Sequence, residues 1–184
     1  MPNNQFERSR VESSVNKEEV DGWDKLPSFD AGEAPSRPAS SLGLTVTELI
    51  HDCHNPPEIA STRGGYSHAV EVAPNCRYLF ISGQIPIRRD GSVPDTFPGQ
   101  CHVVWDNLFR ILATAGYEPK HLVKITTFLA SRSYGDENGT IRRERLGDLS
   151  PALTVVITGT YDSAWLLEIE AIAARPISLS GGET

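Results

Sequence analysis

A chain of 184 residues suits one ordinary domain with a modest core, and a formal net charge of −7 argues against nucleic acid as the partner. The acidity is concentrated at one end: residues 1–60 hold 5 Lys/Arg against 11 Asp/Glu, while residues 61–184 are nearly balanced at 12 against 13. No apolar run in the first 40 residues is long enough for a signal peptide or a membrane span, so the chain reads as cytoplasmic, and its three cysteines, without paired spacing, as reduced thiols.

Residues 1–60 read as an acidic, largely disordered extension. Up to about residue 40 they are polar and poor in branched apolar residues, ending in a Pro/Ser-rich piece from Ala34 to Ser41. Leu42 to Ile50 leaves strand and helical turn equally open. His51-Asp52-Cys53-His54 invites a metal reading by composition, but ligands this close in sequence rarely converge without a partner pair elsewhere, so no metal site is assigned. Regular patterning starts at Tyr66. Tyr66–Val72 alternates as a strand, Ala73-Pro74-Asn75 turns, and Tyr78–Ile85 is a second strand, which together suggest a hairpin. After an Asp90-Gly91 turn, Pro98 is suited to open a helix. Its apolar stripe runs through Cys101, Val104, Leu108, Ile111, Leu112 and Ala115, and Gly116 stops it. Leu122–Leu129 follows as a strand.

Tyr134–Leu146 carries a weaker helical pattern, interrupted by Gly135 and Gly139. Its arginines Arg142, Arg143 and Arg145 read by default as a solvated face. Two strands, Ser150–Thr158 and Trp165–Ala173, close the domain as a further hairpin. In the last strand Glu168 and Glu170 share one face while Leu167, Ile169, Ala171 and Ala173 line the other, so any cover over the acids must pair or hydrogen-bond them. The order β-β-α-β-α-β-β indicates an α+β domain over residues 61–176, with a mixed sheet, both helices on one face and a flexible tail at 177–184. Two helices cover only one side of such a sheet, and a second copy of the chain is the simplest cover for the other.

Pro151-Ala152 with Val156, then Leu167-Glu168-Ile169-Glu170-Ala171, resembles the closing signature of the YjgF/RidA/RutC family; Gly65-Tyr66-Ser67-His68-Ala69-Val70 and Ile81-Ser82-Gly83-Gln84-Ile85-Pro86 resemble two earlier family motifs in the right order. The resemblance implies a chorismate-mutase-like fold, a homotrimer with sites between subunits, a small-molecule substrate and no cofactor. It also implies hydrolysis of reactive enamines or imines to oxo compounds with release of ammonia. By motif, the glutamate that handles water falls on Glu168, and substrate-framing positions fall on Tyr66, Gly83 and Asn138. The arginine that grips a substrate carboxylate in the family's deaminases is replaced here by Leu153.

Each position has a plainer reading. Glu168 can pair with an arginine across an interface, Tyr66 can be an interface aromatic, Gly83 can serve a turn and Asn138 a helix start. His68 and His102 read as ordinary surface or interface histidines. Leucine cannot hold a carboxylate, so two functions stand side by side: an enzyme for an atypical enamine or imine, and a metabolite-binding or assembly protein without turnover. Arg142, Arg143 and Arg145 are the nearest cations in sequence that can stand in for the missing one.

Overall fold

A computed structural model describes residues 51–62 and 64–177; the readings made for residues 1–50 and for the tail beyond 177 lie outside them. Among the described residues, five strands and two α-helices follow one another in the order expected from residue 66 onward, preceded by one strand that the sequence left unassigned. The strands are β1 (His51–His54), β2 (Ala69–Val72), β3 (Cys76–Gln84), β4 (Leu122–Leu129), β5 (Ala152–Ile157) and β6 (Leu167–Pro176), and the helices are α1 (Phe97–Thr114) and α2 (Gly135–Leu146). The domain boundary read at residue 61 therefore falls after the first described strand.

Strand pairing departs from both expected hairpins. β2 pairs antiparallel with β1, and β3 pairs with β6 rather than with β2. The main sheet runs β3-β6-β4-β5, with β4 and β5 parallel and the other pairs antiparallel. Length explains much of this. The nine residues of β3 find a full-length partner only in the ten of β6. The connection between β5 and β6 also greatly exceeds a two- to five-residue hairpin loop. It passes instead across the end of β4, where Thr158 N donates to Leu129 O and Ala130 N to Leu166 O.

α1 begins at the Thr96 cap, whose hydroxyl accepts from Gly99 N, with Pro98 in its first turn. Its stripe Cys101, Val104, Trp105, Leu108 and Leu112 is fully buried against Ile81, Ile125, Leu129, Leu167, Ile169 and Ala173, and Ile141 and Leu146 of α2 join the same core. Ala115, placed on the stripe from sequence, is exposed beyond the helix end. Both helices thus lie on one face of a mixed sheet in an α+β fold.

The alternation in β6 is as expected: Leu167, Ile169, Ala171 and Ala173 face the helices, and Glu168 and Glu170 face away. Cross-strand partners share a face. Phe128 opposite Glu168 and Thr126 opposite Glu170 therefore belong to the open side, with Phe80 opposite Ile172. Phe80 is 75% exposed and Tyr78 52%, so this side offers aromatic surface to solvent in the single chain.

Candidate functional site

Three of the sequence-predicted residues meet in one cleft. Tyr66, Asn138 and Leu153 line a cavity of about 590 Å³ with Gly139, Arg142, Arg143 and Val155, and Asp136 lies on its wall. Tyr66 is held beside β5 because Ser67 N donates to Pro151 O and Ser67 bridges Ala152 in parallel. The loop before it turns through Gly65 at φ 70°; a Cβ there would also sit 3.0 Å from Arg143 Cγ, so glycine serves both the backbone and the approach to α2. On β5, Leu153 pairs with Ile125 and Val155 with Thr127, two residues buried on the helix side. The cleft therefore opens between β5 and the first two turns of α2.

Asn138 is not a helix start. α2 begins at Gly135, and Asn138 sits one turn inside it, 2% exposed, with Oδ1 lacking a hydrogen-bond partner among the described residues. Arg142, one turn further along the same side, is only 6% exposed. This overturns the reading of the arginine run as a solvated face. Burial holds the Arg142 guanidinium below its ordinary pKa and the neighbouring charge of Arg143 adds to this, while the Tyr66 phenol acts in the opposite direction. Arg142 Nε likewise has no partner among the described residues. Arg143 is exposed and donates to Thr140 Oγ1 at 3.3 Å. Arg145 points elsewhere, ion-paired with Asp106 and lying 5.3 Å over the Phe109 ring.

Glu168 and Gly83 form a second constellation. A Cβ placed on Gly83 would overlap the Glu168 carboxylate, so the glycine keeps open the space that the carboxylate occupies. Gly83 does this from within β3, next to an irregularity in the pairing between Ile81 and Gln84, and not from a turn. Glu168 lines a smaller cavity of about 260 Å³ with Phe128, Thr158, Gly159, Thr160 and Tyr161. Because Glu168 projects from the open side of the sheet and Leu153 from the helix side, the two constellations do not meet within one chain. A third cavity, about 580 Å³ between the Arg88–Asp90 turn and α1, contains none of the predicted residues. Its Asn107 amide is engaged by the Ile85 and Ile87 carbonyls and its Asp106 by Arg145.

Two of the remaining histidine candidates have structural partners. His54 pairs with Glu71 across β1 and β2 at 3.1 Å, and His68 bonds the Ala60 carbonyl at 2.9 Å. Among the described residues, no helix is long and apolar enough to cross a membrane.

The sequence model of the family described as Endoribonuclease L-PSP matches residues 57–175. A RutC family protein of Pyrococcus horikoshii is 32% identical over 114 residues, 61% of this chain and 88% of the relative. The mitochondrial protein mmf2 of Schizosaccharomyces pombe is 32% identical over 118 residues, 62% of this chain and 91% of the relative. Among solved structures, a Rid family protein, YyfB, from Yersinia pestis superimposes with a TM-score of 0.61 at 25% identity, over 69% of this chain and all of that one. Yeast Mmf1 gives 0.51 at 28%, over 66% and 92%.

Proposed function

The chain belongs to the YjgF/RidA/RutC family, whose sequence model is described as Endoribonuclease L-PSP, and on that premise we propose that it hydrolyses a small, reactive enamine or imine. One observation carries the reading: Tyr66, Asn138 and Leu153, far apart in sequence, converge on a single cleft of small-molecule size. In the reaction, water adds to the imine carbon while Glu168 takes its proton and the nitrogen gains one. The carbon–nitrogen bond of the resulting carbinolamine then breaks, leaving a carbonyl and ammonia. Glu168 reaches the cleft of a neighbouring subunit in a homotrimer, with the open side of the sheet around Tyr78 and Phe80 as the contact surface. That arrangement reconciles two constellations held on opposite sides of the sheet.

The ribonuclease wording of the family description fits less well, since the cleft has the dimensions of a metabolite site and its lining offers two cations, Arg142 and Arg143, beside the acid Asp136. Leu153 favours the second reading, binding without turnover, because it leaves no cation on β5. Ammonia release from freshly generated 2-iminobutyrate, compared with the Glu168→Gln variant, decides between them. Glu168-dependent acceleration supports the enzyme. A rate equal to the uncatalysed background in both proteins leaves the binding reading.

A further inference from the structure

The geometry points to Arg142, assisted by Arg143, as the anion-holding group of this cleft: the cation absent from β5 is supplied by α2, and the ligand is a small carboxylate with an apolar substituent. This rests on the cleft being a small-molecule site and adds its ligand class.

Three observations lead there. Arg142 is an arginine buried to about the level of the core, yet its Nε has no hydrogen-bond partner among the described residues and no described carboxylate pairs with it. A buried charge without a partner is costly, and a guanidinium desolvated in a cleft gains most from an incoming carboxylate, which it grips with two parallel bonds. Next, its surroundings are arranged around the cleft. Arg142 and Asn138 lie one helical turn apart on the same side of α2, and Gly139 leaves the space beside Arg143, whose Nη1 would be 3.4 Å from a Cβ at that position. Asn138 and Tyr66 offer neutral polar contacts, and Arg143 adds a second positive charge. Asp136 is the opposing charge; it is exposed at the start of α2, where solvent screens it. Finally, the wall facing the arginines is apolar. Leu153 and Val155 project from β5 into the same cavity, so a ligand with its carboxylate on Arg142 places its other end against two branched side chains. Replacement of the β5 cation by leucine then changes the side from which the anion is held and makes the opposite wall suited to an alkyl group.

The test uses 2-oxobutyrate, a stable carboxylate, and 2-butanone, in which a methyl replaces the carboxylate, titrated by NMR into the full-length chain. Expected are binding of 2-oxobutyrate at least about tenfold tighter than that of 2-butanone, a roughly 10- to 100-fold loss of it in Arg142→Gln, a smaller loss in Arg143→Gln, and partial recovery in Arg142→Lys. Equal binding of the charged and neutral probes by the unaltered chain overturns the proposal without needing any variant, which covers the case where Arg142→Gln does not fold. Undiminished 2-oxobutyrate binding in a folded Arg142→Gln overturns it too. So does a loss of subunit assembly in that variant with 2-oxobutyrate binding unchanged per folded chain, which would assign Arg142 to pairing with a second copy. The ammonia assay is separate: absence of turnover with intact, Arg142-dependent binding removes the catalytic reading and leaves this one standing.

Discussion

Placing Glu168 and the Leu153 cleft on opposite sides of the sheet has a quantitative consequence for mixed oligomers. If each site takes its cleft from one subunit and its Glu168 from the next, Glu168→Gln and Arg142→Gln damage different halves of it. Removal of the glutamate costs about 10²- to 10⁴-fold as loss of a general base, and removal of the arginine about 10- to 100-fold as loss of a charge-assisted grip. Co-assembled in equal amounts, the two variants meet at random. A given site then pairs an intact cleft with an intact glutamate about one time in four, so ammonia release should recover to about a quarter of the unaltered rate. Diluting the unaltered chain equally with the double variant gives a second figure from the same logic. About one quarter of all sites survive when the site is shared, and about one half when each chain carries its own. The assay is 2-iminobutyrate hydrolysis after co-refolding, with native mass spectrometry to verify that mixed oligomers have formed. Mixed oligomers no more active than the separate variants would refute the shared site.

Other expectations follow from single positions. Gly83→Ala places a methyl where the Glu168 carboxylate sits; since the far end of a flexible side chain is what must move, the thermal midpoint should stay within a few degrees while the hydrolysis rate falls about tenfold or more. A melting curve and a rate measured on the same preparation check this, and an unchanged rate would show that the carboxylate is not needed where it lies. Leu153→Arg adds a third cation to the cleft beside Arg142 and Arg143 and removes a side chain packed on the core, so it should lower stability by about 1–3 kcal/mol in urea titration while tightening 2-oxobutyrate binding. Burial pushes the Cys101 thiol up to about 12, leaving roughly one thiolate in ten thousand at pH 8. Exposed Cys53 should therefore react with a disulfide reagent in the native protein and Cys101 only after unfolding. Because the folded-state value is raised, the stability linked to Cys101 is present below its ordinary value of 9.0 and is lost as pH climbs toward 12. The alkaline fall in stability should accordingly be shallower in Cys101→Ala.

Much of the architecture was legible because it rests on local periodicity. The α1 stripe and the two faces of β6 are statements about spacing 3.6 and spacing 2, and both stand in the structure. Pairing was less legible. Ala69–Val72, the part of Tyr66–Val72 that forms a strand, and Cys76–Gln84 are both extended, but which edges join depends on strands distant in sequence, and on β1, which only four residues with a polar, metal-like composition announce. The final two strands look like a hairpin until the length of their connection is weighed against the gap that β4 fills.

Arg142 was among the stand-in cations the sequence offered; what the default reading of a solvated face missed was its burial, and that signal lay in the same periodicity. Ile141 and Leu146 fix the buried side of α2, and positions 138, 142 and 146 fall on it at intervals of four. Reading only apolar residues onto that stripe makes α2 look weakly amphipathic, whereas two of its inward positions are polar, Asn138 and Arg142. A helix that spends inward positions on an amide and a guanidinium lowers its own contribution to stability unless those groups meet partners. The described chain offers none for Arg142 Nε or Asn138 Oδ1, and both residues border one cleft. If Arg142 holds the ligand's anion, the stability forgone along α2 and the leucine on β5 have a common explanation: the polar end of the site lies on the helix instead of the strand, and a ligand's carboxylate completes what folding leaves unpaired.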